Sequence, residues 1–170
     1  EAARVVMASY VLEEADTPVE VFEACRAFCS EMCDDPDCRD TVIYGGNNWY
    51  YAYGKSSAKE ILGDSAYLAE MTEGIENRPF MVMDDGWQID HSDSYNGGPW
   101  RVGNADYGDM GELAAQMRAK NVRPGIWFRP LYDHSADIPA EWRLERNAEV
   151  LDISVPEVLE HIAQDIRQLG

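Results

Sequence analysis

The run Phe80-Met81-Val82-Met83-Asp84-Asp85-Gly86-Trp87 puts two carboxylates, a turn glycine and an indole directly after an apolar stretch. Ionisable groups at the end of a buried strand mark where the core stops and a solvent-facing cleft begins. Adjacent carboxylates accept hydrogen bonds from neighbouring hydroxyls, and Trp87 offers a flat apolar face to the C–H side of a ring. The combination suits a neutral polyol. Successive strand residues point to opposite sides, so one of Asp84 and Asp85 is expected to contact the ring and the other to orient it. As sequence neighbours, they are not expected to flank one scissile bond as an acid and a nucleophile do, so their expected task is holding rather than cleaving.

Other chemistries find less support. Gly54-Lys55-Ser56 lacks the glycine a phosphate loop needs five positions earlier, where Trp49 stands. Gly45-Gly46 and Gly97-Gly98 lack the spaced third glycine of a dinucleotide site and read as turns. Asp84, Asp85, Asp90, His91 and Asp93 show no calcium-loop spacing and no helical His pair, so no metal is expected there. No Ser-His-Asp order or Cys-His pair stands in a motif. His134 and His161 have no evident partner and read as solvated surface residues.

The elements that must position these residues follow a strand-helix alternation. Apolar runs at Thr41 to Tyr44, Phe80 to Met83 and Gly125 to Phe128 read as strands about 40 residues apart, a spacing that calls for crossover connections and a parallel sheet. A capping residue followed three positions later by Glu opens each helix: Ser57 with Glu60, Asp109 with Glu112, and Ser154 with Glu157. The last helix carries an apolar face of Val155, Val158, Leu159, Ile162, Ile166 and Leu169, expected to cover the sheet. The long segments after the strands hold most of the unusual chemistry, which favours an α/β fold of the (β/α)8 type over a doubly wound sheet. The chain would supply the first three strand-helix units. Trp49, Trp87 and Trp127 are expected in the cleft, whereas Trp100 and Trp142 are expected to pack loops.

Residues 1–40 break the alternation, with a helix opening at Thr17-Pro18-Val19-Glu20 after a separate apolar segment from Val5 to Leu12. They are expected to be a helical lead-in or linker from an upstream domain, ahead of barrel residues 41–170. The start at Glu1 without an initiator Met, and the stop at Gly170 after a helical pattern, suggest a piece of a longer polypeptide. Cys25 and Cys29 fall on the stripe Val21, Cys25, Phe28, Cys29, Met32 and are expected to be reduced and packed. Only Cys33 and Cys38, around Asp34-Asp35-Pro36-Asp37, are placed to meet. Reduced thiols lean towards a cytoplasmic location.

The 170 residues, 45% hydrophobic and 11% aromatic, suffice for a core, and 32 acidic against 14 basic residues give a net charge of -18. That charge repels phosphate backbones and anionic lipids, so neither a nucleic acid nor a membrane is an expected partner. No apolar run reaches the length of a membrane span.

The segments Gly45-Gly46-Asn47-Asn48-Trp49, Asp84-Asp85-Gly86-Trp87-Gln88, Pro124-Gly125-Ile126-Trp127-Phe128-Arg129-Pro130 and Leu151-Asp152-Ile153-Ser154-Val155-Pro156-Glu157-Val158 resemble, in order and spacing, the alpha-galactosidase (melibiase) families of glycoside hydrolases. The resemblance covers residues 41–170. It implies a (β/α)8 catalytic domain, retaining hydrolysis of a terminal alpha-galactosyl unit, a carbohydrate substrate and no cofactor. It implies that Asp84 and Asp85 hold sugar hydroxyls, with Asn47, Trp49, Trp87, Trp127 and Arg129 around the pocket, and that the nucleophile and acid/base lie beyond Gly170. Two positions depart from the families: Gly46 stands where many members have Trp, and Arg129 where some have Glu. A guanidinium there leaves two readings open, an anionic sugar or a pair with Asp84 or Asp85. A related hydrolase for another alpha-linked sugar and a noncatalytic sugar-binding barrel also remain open.

Overall fold

A computed structural model describes Pro18–Glu31 and residues 41–170. The chain divides into two compact units, Glu1–Thr41 and Val42–Gly170. The first contains helix α1 (Pro18–Glu31), which starts with Pro at its first helical position, where the missing N–H costs nothing. Cys25 and Cys29 are free and exposed on α1 rather than packed, as are Val21 and Phe28 of the same stripe. Helical periodicity identified the apolar face but carries no information on what covers it. Val5 to Leu12, Met32, Cys33 and Cys38 lie outside the described residues.

The second unit is mixed α/β. Its parallel sheet is ordered β1 (Gly45–Asn47), β2 (Phe80–Met83), β3 (Arg123–Ile126). Helices α2 (Trp49–Ala52) and α3 (Ala58–Met71) connect β1 to β2, and α4 (Met110–Ala119) connects β2 to β3. Beyond β3 come a short 3-10 turn (Ala140–Trp142), an antiparallel ribbon of β4 (Arg143–Leu144) and β5 (Asn147–Leu151), and α5 (Pro156–Leu169).

Within β2 the pleat separates buried Met81 and Met83 from half-buried Phe80 and Val82. The methionines meet Ile61 of α3, Leu113 and Met117 of α4, Val122, and the loop residues Trp87, Trp100 and Tyr107, forming the main core. A second core under the later loops joins Ile138, Leu151 and Val158, with Trp142 and Ile162 against it.

Only β2 begins and ends where the sequence places it. The first strand is Gly45–Asn47, not Thr41 to Tyr44, because backbone pairing with β2 decides it and the glycines allow that approach. A Cβ on Gly45 would meet the Phe80 carbonyl oxygen at 1.8 Å. Gly45 and Gly46 are therefore strand residues and not a turn. Gly97 and Gly98 serve a close approach too, since a Cβ would meet the Tyr132 carbonyl at 2.5 Å or the Asp133 carboxylate at 2.4 Å. The third strand starts two residues early, at Arg123, whose N–H donates to the Pro79 carbonyl at 2.8 Å.

Two of the three expected caps form. The Ser57 hydroxyl accepts from the Glu60 N–H at 3.4 Å, and the Asp109 carboxylate accepts from the Glu112 N–H at 2.8 Å. Ser154 does not cap: α5 opens with Val155 at the cap position and Pro156 at its first turn, after Asp152 accepts from the Ser154 N–H at 2.8 Å. Replacing Asp109 by Ala should cost about 1 kcal/mol, whereas Ser154→Ala should be near neutral. Urea denaturation of the two variants checks this, and an equal loss in both would mean that Ser154 caps after all. On α5, Val158 is fully buried, but Leu159 and Ile166 of the expected apolar face are each 54% exposed.

Candidate functional site

The parallel register brings the C-terminal ends of the three strands to one edge. Asn47 ends β1 opposite Val82, and the Trp127 N–H donates to the Met83 carbonyl at 2.8 Å, extending β3 alongside β2. Asp84 and Asp85 leave β2 at this edge. The Asn47 amide donates to Asp84 Oδ2 at 2.5 Å while its own oxygen accepts from the Trp49 N–H at 2.8 Å, so one side chain links the end of β1 to the carboxylate and to the start of α2.

The two aspartates are held differently. Asp84 is half-buried; its Oδ1 accepts from the Asp85 N–H and its own N–H donates to Asn48 Oδ1, each at 2.8 Å. Asp85 is buried, with Oδ1 accepting from the Gln88 amide at 2.8 Å and lying 3.8 Å from His91 Nε2. Gln88 Oε1 in turn accepts from the Gly86 N–H at 3.1 Å. Asn48 and Gln88 are themselves buried, and a buried amide is tolerated only when its hydrogen bonds are made. Their work is to fix the aspartate pair. The sequence reading passed over both, although each stands beside a residue it chose; their burial was the missing signal.

The aromatic residues divide. Trp87 is fully buried, its indole N–H donating to the Trp127 carbonyl at 2.9 Å and its ring 5.9 Å from that of Trp100, so it props the edge from inside instead of offering a face to solvent. Trp100 packs edge-on against Trp127 and Phe128, and Trp142 packs in the second core, as expected of loop anchors. Trp49 and Trp127 are half-buried. Arg129 pairs with neither aspartate: its Nη1 donates to Asn96 Oδ1 at 2.6 Å and its guanidinium carbon sits 4.3 Å above the Tyr132 ring. Burial pushes the neighbouring Tyr95 phenol up to about 12, so it stays protonated, donating to the Gly98 carbonyl at 2.6 Å and accepting from the His134 N–H at 2.8 Å. His134 is exposed and stacks on Tyr95. His161 departs from the expected solvated residue: its side chain is 15% exposed and lies among Asp133, Asp165 and Arg101.

A cavity of about 550 Å³ between β2, β3, α4 and the end of α5 is bounded by Met83, Trp87, Arg101, Met110, Arg118 and Leu169. Neither Asp84 nor Asp85 lines it, so the strand edge that carries them remains the better site.

No protein-family model and no curated protein matches the sequence. Solved structures do. The galactosidase domain of alpha-galactosidase-sucrose kinase superposes with a TM-score of 0.63 at 23% identity, covering 79% of this chain and 20% of that one. The chain has the fold of alpha-galactosidase domains. GH36 alpha-galactosidase AgaA from Geobacillus stearothermophilus matches with a TM-score of 0.55 at 24% identity over 75% of this chain and 19% of its own. A variant of AgaA in complex with raffinose matches with a TM-score of 0.57 at 24% identity over 76% and 20%. The chain thus spans about a fifth of the length of these galactosidases. On this galactosidase fold, Asp84, Asp85 and Asn47 stand together at the C-terminal edge of the parallel sheet. In open parallel sheets and barrels alike, that edge is where ligands bind.

Proposed function

We propose that this chain forms the first three strand-helix units of a (β/α)8 barrel and supplies one wall of the sugar pocket of a retaining alpha-galactosidase-like glycoside hydrolase, with a terminal alpha-linked galactosyl unit as substrate. The observation that carries the reading is the aspartate pair, fixed by Asn47, Asn48 and Gln88 at the C-terminal sheet edge of a galactosidase fold. Asp84, the more accessible of the two, receives the sugar hydroxyls, and buried Asp85 orients the turn that carries it. Trp49 and Trp127 line the pocket, with Trp87 behind them. The carboxylates that break the bond are assigned to residues outside these 170, and no cofactor takes part.

Arg129 supports a second reading within the same site. Among the described residues it has no carboxylate partner, although the chain is strongly acidic, and Asn96 and Tyr132 hold its guanidinium in place. A guanidinium so fixed suits a carboxylated or otherwise anionic sugar. A panel of aryl alpha-glycosides offered to the full-length protein, with galactoside, glucoside and galacturonide side by side, decides between them. Preferential release from the galactoside supports the first reading and from the galacturonide the second. Sugar binding without any release would mean a noncatalytic barrel, and neither binding nor release would overturn the pocket.

A further inference from the structure

A second cluster of titratable side chains, sharing no residue with the aspartate edge, surrounds His161. Two carboxylates, Asp133 and Asp165, are each 3% exposed at the side chain, and His161 and Asp165 share a face of α5 one turn apart. In each carboxylate one oxygen is already engaged. Asp133 Oδ1 accepts from the N–H and the hydroxyl of Ser135, and Asp165 Oδ1 accepts from Arg101 Nε at 2.9 Å. The other two oxygens turn to the same nitrogen: His161 Nε2 lies 3.5 Å from Asp165 Oδ2 and 4.0 Å from Asp133 Oδ2. That nitrogen is buried and, among the described residues, has no hydrogen-bond partner.

We propose that Asp133, His161 and Asp165 bind a divalent transition-metal cation of the zinc type. The separations are too long for N–H···O hydrogen bonds, which close to about 2.7–3.2 Å. They suit a shared ion, because tetrahedral ligands about 2.0–2.1 Å from a zinc ion stand about 3.4 Å apart. Charge favours a cation as well. Arg101 pairs directly with Asp165 alone, so among the described residues His161 is the one basic group within ion-pair distance of Asp133, a costly state in a low-dielectric interior. Ser135 and Arg101 occupy the outer oxygens as supporting partners do around bound metals, each fixing a carboxylate so that its free oxygen points inward. Arg101 Nη2 stands 3.5 Å from His161 Nδ1, too far for the donated bond that would hold the imidazole proton on Nε2 and close that nitrogen to a metal. One imidazole with two carboxylates favours zinc or a neighbouring first-row ion over calcium or magnesium, which prefer oxygen alone. The ion joins three segments: Asp133 from the loop after β3, α5 itself, and through Arg101 the loop after β2.

The test is zinc titration of the metal-stripped full-length protein by calorimetry, with Cys25, Cys29, Cys33 and Cys38 replaced by Ser so that thiols cannot supply the signal. One equivalent should bind at this site, and Tm should rise by roughly 1–2 °C at a hundredfold excess over Kd. Equal magnesium or calcium should leave Tm unchanged. His161→Gln and Asp133→Asn should each weaken binding at least a hundredfold. If a variant fails to fold, cobalt in the unsubstituted site reads the ligand set directly, as visible d–d bands without a thiolate charge-transfer band. Absence of saturable zinc binding, or binding unaltered by both substitutions, overturns the proposal and leaves the cluster as a buried polar network that only braces the fold.

Discussion

Asp84→Ala in the full-length protein should lower kcat/KM for its preferred alpha-glycoside by about two to four orders of magnitude. A hydrogen bond to a charged group is worth about 1.5–3 kcal/mol, and a carboxylate holding two sugar hydroxyls loses both, about 3–6 kcal/mol at roughly 1.4 kcal/mol per decade. The loss should fall on kcat as well as KM if those bonds tighten as the ring distorts. The change removes the acceptors of the Asn47 amide and the Asp85 N–H, a modest cost because Asp84 is half-buried and its own N–H keeps Asn48 as acceptor. Asp85→Ala should behave otherwise. It strips the buried Gln88 amide of its acceptor, so Tm should fall along with activity. Steady-state kinetics and thermal melts on the two variants separate holding a substrate from holding a turn. Unchanged kinetics in a correctly folded Asp84→Ala protein would sink the assignment of that residue.

The contrast between these neighbours shows what the sequence could carry. The edge of the sheet was legible because a strand that stays apolar through Met83 and then shows Asp84 and Asp85 has one plausible end, and β2 lies where that argument puts it. The parallel order was legible from the spacing of the strands, and two caps from a side chain three residues ahead of its partner N–H. Each of these is a local or periodic signal. What failed depended on contacts between distant segments. Trp87 follows the aspartates as a platform residue would, yet Trp100 and the Trp127 carbonyl draw it into the core. His161 has no partner nearby except Asp165, and the third member of its cluster, Asp133, comes from the loop after β3. Gln88 follows Trp87 at the end of the Asp84 to Gln88 motif, but only its complete burial reveals that it holds Asp85.

Gly45 was also misread, and it is the position where one added methyl group should do the most damage to the fold. Gly45→Ala would put a Cβ 1.8 Å from the Phe80 carbonyl oxygen and within 2.7 Å of the Phe80 backbone nitrogen. These are main-chain atoms of β2, so relief requires β1 to move away and break the register of Gly45 with Phe80, Gly46 with Met81 and Asn47 with Val82. Gly46→Ala is the control. Its added Cβ would meet the ends of Leu68 and Met81 at 3.2 Å, flexible side chains able to yield. The expected losses are more than about 4 kcal/mol for Gly45→Ala and about 1 kcal/mol for Gly46→Ala, measured by urea denaturation. The larger loss should reach the site as well. Asn47 lies two residues on and donates to Asp84, so moving β1 should weaken sugar binding in whatever fraction of Gly45→Ala remains folded. Equal stability in the two variants would mean that β1 does not pair with β2 in this register, and that the bond from Asn47 to Asp84 is not part of the site.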